Sequence, residues 1–192
     1  MKKVAKSVPI IAVFVAMSLT GCTINIAVPE RDNHQGMMSQ NGSAFSNTDI
    51  MFAQMMIPHH QQAVDMGTLA ETRAKDPEVK ALAAQIKGEQ APEIQQMKAW
   101  LDKAGAGMMM GHDMGMGGML SDSDMAALTS AKGAAFDRLY VSGMIGHHEG
   151  AIAMAKMVIG SSNAEAKALG AAIVESQTKQ IETLKKILAR LG

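Results

Sequence analysis

One short phrase occurs twice in this sequence, and the repetition limits the folds open to it. Met56-Ile57-Pro58-His59-His60 returns as Met144-Ile145-Gly146-His147-His148, 88 residues later (147 − 59). At the same offset Asp49 matches Asp137, Phe52 matches Tyr140, Ala63 matches Ala151, Val64 matches Ile152 and Met66 matches Met154. The residues around each phrase recur at three- and four-residue steps. Phe52, Met56, His59, Ala63, Met66 and Ala70 form one series, and Tyr140, Met144, His147, Ala151, Met154 and Val158 the other. Such spacing lines one seam of a helix in a bundle.

The rest of the chain extends the helical pattern. The spacing predicts a first helix from Asn47 to about Arg73, with Asn47-Thr48-Asp49 supplying cap chemistry and Pro58 kinking its interior. Asp76-Pro77-Glu78 reads as a second start: cap, proline at the first helical position, acidic first turn. Val79, Leu82, Ile86, Ile94, Met97 and Leu101 carry that helix to about Ala104, with Gly88 and Pro92 making its middle irregular. Ser121 to Asp124 opens a short piece ending near Lys132, and the helix resumes after Gly133 to reach Gly160. Asn163 and Glu165 start the last helix, whose apolar residues run from Leu169 to Leu191. These partner helices also match, at an offset of 87 (177 − 90): Ile86 with Ile173, Gln90 with Gln177, Ile94 with Ile181. Aromatic residues are only 3% of the chain, few strand-like alternations occur, and 47% hydrophobic composition suffices for a core. The expectation is an all-α fold, an antiparallel four-helix bundle made of two duplicated hairpins, 47–104 and 121–192, forming one domain.

The N-terminus reads as an address. Lys2, Lys3 and Lys6 precede the apolar run Val8 to Met17, which is too short to span a membrane and ends at Leu19-Thr20-Gly21-Cys22. Cysteine after Leu-Thr-Gly is similar to a bacterial lipobox. It implies a signal peptide over 1–21, cleavage before Cys22 and lipidation of Cys22. Residues 22–46 then form a polar tether, with His34 and Met37-Met38 inside it. By analogy with lipoprotein sorting, Thr23 after the cysteine favours an outer-membrane anchor facing the periplasm where the envelope has two membranes. Cys22 is the sole cysteine, so neither an internal disulfide nor a thiolate metal cage can form. Lys+Arg and Asp+Glu both total 18, which gives no support to nucleic-acid binding. Oligomeric state is not legible.

Four of the 6 histidines lie in the doubled phrase. Adjacent helical residues point about 100° apart, so His59 and His60 do not chelate one ion in the i, i+4 manner. Met56 with His60 and Met144 with His148 do have that spacing; His59 with Met66 and His147 with Met154 are two turns apart. Thioether is a soft donor and imidazole suits copper, so a Met/His site without carboxylates favours Cu(I), or Ag(I) in its place, with Cu(II) possible through imidazoles. Buried histidines that merely pack are the bland alternative, but each needs a polar partner. Between the hairpins, 105–120 is rich in glycine and methionine. Its Met108, Met109, Met110, His112, Met114, Met116 and Met119 form a second, flexible candidate metal site, because glycine at this density denies the segment a stable helix.

The repeated phrase, and above all Phe136-Asp137-Arg138-Leu139 through Met154, resembles domain-of-unknown-function family 305, which includes the CopM-type exported copper-binding proteins. The resemblance covers about Asn47 to Leu191. It implies a ferritin-like four-helix bundle that binds copper outside the cytoplasm. By position it implies the ligands Met56, His59, His60, Met66, Met144, His147, His148 and Met154. The first copy departs from the second in having Pro58 where Gly146 stands, and the resemblance does not account for the Gly/Met loop.

Three functions follow from these readings. The first is a non-enzymatic envelope protein that sequesters Cu(I) or hands it to another envelope copper protein, contributing to copper resistance or homeostasis. The second is a structural or interaction lipoprotein that binds no metal. The third is a metalloenzyme, but the chain has no Glu-x-x-His pair of the di-iron kind, and His148-Glu149 lacks the second histidine of a zinc-protease motif. No catalytic residue is assigned.

Overall fold

The computed structural model describes residues 44–108 and 117–192. The leader 1–21, most of the tether 22–46 including Cys22, and the loop candidates Met109, Met110, His112, Met114 and Met116 lie outside the described residues. The order is α1 (Asn47–Arg73), α2 (Pro77–Ala104), α3 (Asp122–Ser130), α4 (Ala134–Ala155) and α5 (Ala164–Leu191), with no strand among the described residues. The described residues are all-α, as their periodicity dictates, with five helices, of which α3 is the short piece expected before the helix resumes at α4. α1 packs along α2 and α4 along α5, while α1 also lies against α4.

Several boundaries differ from the sequence expectation, each for a local reason. The cap of α1 is Ser46, one residue before the Asn47-Thr48-Asp49 group. The Ser46 hydroxyl accepts the Asp49 N–H, and the Asp49 carboxylate accepts the Ser46 N–H, a reciprocal capping box. α1 continues as helix across Pro58, and α2 across Gly88 and Pro92. Packing outweighs propensity there, since both helices bury apolar seams on either side of these residues. α4 ends at Ala155 instead of reaching Gly160. Beyond it, Met157 and Val158 donate to the carbonyls of Met154 and Ala155, tightening the turn and placing Val158 in the core.

Asp49 and Asp137 match in the repeat and are both buried, yet neither supports a histidine. Asp49 caps its own helix. Asp137 reaches across to accept the backbone N–H groups of Lys75 and Asp76, each at 3.0 Å, and so fixes the α1–α2 turn. Gly133, which precedes α4 with φ of 62°, donates its N–H to the Arg73 carbonyl at 2.8 Å. The end of α1 is thereby tied to the start of α4.

The apolar core falls into two clusters. One gathers Phe52, Met56, Ile94, Trp100, Ala151, Met154 and Ile173 among others. The second gathers Ala63, Met66, Ile86, Phe136, Tyr140, Met144 and Leu184 among others. The paired histidines belong to neither. They and the buried Gln90, Gln177 and Gln180 form a polar layer interrupting the core.

Candidate metal centre

All four paired histidines are fully buried. Helix periodicity accounts for this in each copy, because His59 and His147 stand on the seam and His60 and His148 turn toward the partner helix. The rings that approach most closely come from different copies. His59 and His147 have centroids 3.8 Å apart and tilted by 40°, whereas the adjacent pairs His59–His60 and His147–His148 are 6.4 and 6.3 Å apart. The duplication thus brings its two histidine pairs together across α1 and α4.

Each imidazole uses one nitrogen on a protein acceptor. His60 Nε2 lies 2.8 Å from Glu93 Oε2, and His147 Nε2 lies 3.0 Å from the His59 carbonyl. His148 Nε2 lies 2.7 Å from Gln180 Oε1, and His59 Nε2 meets the Gly117 carbonyl at 3.4 Å. Gln180 Nε2 donates in turn to Glu89 Oε2 at 2.7 Å, which leaves its oxygen facing His148. Every partner of an Nε2 atom is therefore an acceptor, so in the neutral imidazole Nε2 carries the proton and Nδ1 the lone pair. All four Nδ1 atoms are buried and have no hydrogen-bond partner.

Burial also sets their charge. It pushes His59 down to about 3, helped by the nearby His60 and opposed by the Gly117 carbonyl. Burial likewise depresses His148 to about 4 against the opposing bond to Gln180. It holds His147 well below the ordinary histidine value, with a further push from His59. At neutral pH these three imidazoles are uncharged, with Nδ1 free of a proton.

The methionines flank this layer in cross-paired fashion. Met56 and Met154 share one apolar cluster and Met66 and Met144 the other, so each side of the layer receives one methionine from each copy. Met56, Met66 and Met144 are fully buried and Met154 nearly so. Among the described residues no group of three or more His, Cys, Asp or Glu side chains converges to hold an ion. The donors present fit a cation satisfied by few nitrogens and thioethers, not an oxygen-rich cation such as calcium or magnesium.

Of the loop candidates that are described, Met108 is exposed at one end and Met119 half-buried at the other. The Gln62 side chain clasps the backbone of Leu120, accepting its N–H at 2.8 Å and donating to its carbonyl at 3.0 Å. Gly117 and Gly118 press directly on Gly146 and Gly150 of α4, leaving no room for a Cβ at Gly118 or Gly150. The C-terminal end of the Met/Gly segment is thus anchored beside His59.

Glu93, Gln180, Glu89 and Gly117 escaped the reading of the sequence. For two of them a signal was available. Glu93 and Gln180 are related by the same 87-residue offset (180 − 93) as their neighbours Ile94 and Ile181, and extending that alignment by one residue finds them.

Comparison with known proteins bears on the family and the helical fold. The sequence profile of DUF305, a domain of unknown function, matches residues 49–188. The chain belongs to the DUF305 family. Among solved structures it is similar to a DUF305 protein from Streptomyces coelicolor, provisionally named as secreted. The two are 34% identical, with a TM-score of 0.71, covering 76% of this chain and 94% of that one. It is also similar to CopM in its Cu(I)-bound form, at 33% identity and a TM-score of 0.62 over 72% of this chain and 93% of that one. The Cu(II)-bound form of CopM matches at 34% identity and a TM-score of 0.63, covering 75% and 97%. Among curated proteins none matches the chain.

Proposed function

We propose that this chain is an exported, non-enzymatic copper-binding protein that sequesters Cu(I) or passes it on, and that also accepts Ag(I) or Cu(II). One observation carries the reading: four buried imidazoles, each with Nε2 engaged and Nδ1 bare, gathered in one layer of the core. Leaving a buried polar atom unpaired costs about 1–3 kcal/mol. A layer with four bare Nδ1 atoms is understandable if they serve a ligand. The hydrogen bonds at Nε2 are those that orient metal-bound imidazoles in general. Proton competition at neutral pH is weak because burial already keeps His59, His147 and His148 neutral.

In this account the hairpins are the halves of one antiparallel, ferritin-like four-helix bundle. His59, His60, His147 and His148 supply nitrogen, and Met56, Met66, Met144 and Met154 supply thioethers on the two sides. CopM, similar over most of its length, has been solved with Cu(I), Cu(II) and Ag bound, which supports the same cargo here. The methionines of the Gly/Met segment, Met108 and Met119 among them, act as an outer capture site. Cys22 carries a lipid that holds the domain at the periplasmic face of the outer membrane.

The test is metal binding by variants that keep the Nε2 donor but lose the Nδ1 lone pair, for which glutamine is the suitable replacement. His60→Gln with His148→Gln is expected to weaken Ag(I) binding at least tenfold while leaving helicity intact. Unchanged affinity and stoichiometry in that variant reject the bundle site. Deleting Met108 to Met119 separately reports on the loop.

A further inference from the structure

The two copies of the motif match in sequence but differ in what stands behind their imidazoles. Glu93 and Gln180 occupy equivalent positions on α2 and α5, and each receives the Nε2–H of the second histidine in its own hairpin. In the first hairpin the acceptor is a carboxylate, in the second a neutral amide. Gln180 is 5% exposed and held in place by Glu89, so a glutamate there would set two carboxylates against each other. The carboxylates that the described hydrogen bonds tie to the layer, Glu89 and Glu93, come from α2; α5 contributes amides, Gln180 and Gln177.

This difference acts on the bare nitrogen. A carboxylate accepting the distal N–H of an imidazole raises the basicity of the other nitrogen as a ligand, and losing such a partner typically costs about 10–100-fold in metal affinity. A buried monovalent cation on His60 also has its charge balanced by Glu93, whereas on His148 it faces a neutral partner. Glu93 is itself 19% exposed and lines the cleft between α2 and α5.

From this unequal backing we propose that the two halves are unequal metal sites: His60, with Glu93 behind it, takes the first soft cation, and His148, with Gln180 behind it, takes the next. The inference rests on the copper-binding reading and adds to it a positioning residue, Glu93, and an order of filling. Glu93 acts through His60 and does not touch the metal.

The experiment adds Ag(I) as its nitrate to the whole protein labelled with 15N-histidine and follows the imidazole resonances and the affinity by competition. In the wild type the His60 signals are expected to shift before those of His148. E93Q keeps an acceptor for His60 and makes the halves alike. It should weaken the first Ag(I) about 10–100-fold and bring the two histidines into step, with the circular dichroism unchanged. If E93Q does not fold, the order of filling in the wild type decides alone. His60 and His148 responding together in the wild type overturns the inference, as does E93Q with the wild-type order and affinity. Ag(I) failing to bind at all contradicts the copper reading itself and is distinct from binding without order.

Discussion

At the scale of single residues, the histidine layer is a balance between burial and readiness. Neutral imidazoles are less costly to bury than charged ones, and the depressed values of His59 and His148, about 3 and about 4, express that cost. The unfolded chain titrates its histidines near 6.5. Above that value both states are neutral and stability is full. As pH falls below it, the unfolded chain takes up protons that the folded chain refuses, so stability is lost down to the folded values. The slope is up to about 1.4 kcal/mol per pH unit for each such histidine. Urea midpoints should therefore drop between pH 7 and pH 5, and His148→Gln should show a shallower drop than the wild type. Asp137 offers a second residue-scale test. Its removal leaves the N–H groups of Lys75 and Asp76 without their acceptor, so Asp137→Ala should destabilise by about 1–3 kcal/mol in chemical denaturation.

At the scale of elements, helix existence was legible because the apolar seams persist over many turns, and the starts at Asp76 and Asn163 announced themselves by cap chemistry. What local propensity misjudged was set by tertiary contact. Pro58, Gly88 and Pro92 do not interrupt their helices, and α4 stops early to let Val158 turn inward. The repeat singled out four histidines and four methionines, and all eight are buried. Their partners were not legible there, since the bond from His147 to the His59 carbonyl and the relay from His148 through Gln180 to Glu89 depend on how the hairpins dock. The seating of Gly117 and Gly118 was equally hidden, because nothing local to a glycine-rich segment says which helix it will meet. That seating makes a paired prediction. Gly150→Ala collides with Gly117 backbone and should cost about 1–3 kcal/mol in thermal or denaturant unfolding. Gly146→Ala, one turn earlier with open space around its Cβ, should be neutral or stabilising by up to about 1 kcal/mol.

At the scale of the whole molecule, duplication explains why the site lies where it does. The histidine pairs stand on α1 and α4, and the packing of these two helices brings His59 and His147 together in the interior. The same symmetry deals one methionine of each copy to each apolar cluster, so the layer is bounded by thioethers on both sides. A ligand bound only by the folded layer must raise the melting temperature, by an amount that grows with the logarithm of its concentration relative to Kd. The measurement that tests this most directly is an anaerobic Cu(I) titration of the chain, with bound metal counted, beside a variant in which His59, His60, His147 and His148 are all glutamine. A copper-binding histidine layer predicts that the chain binds Cu(I) and melts at a higher temperature when loaded, and that the variant loses the bundle-bound metal and the stabilisation. A variant that binds as much Cu(I), as tightly, as the parent chain contradicts it.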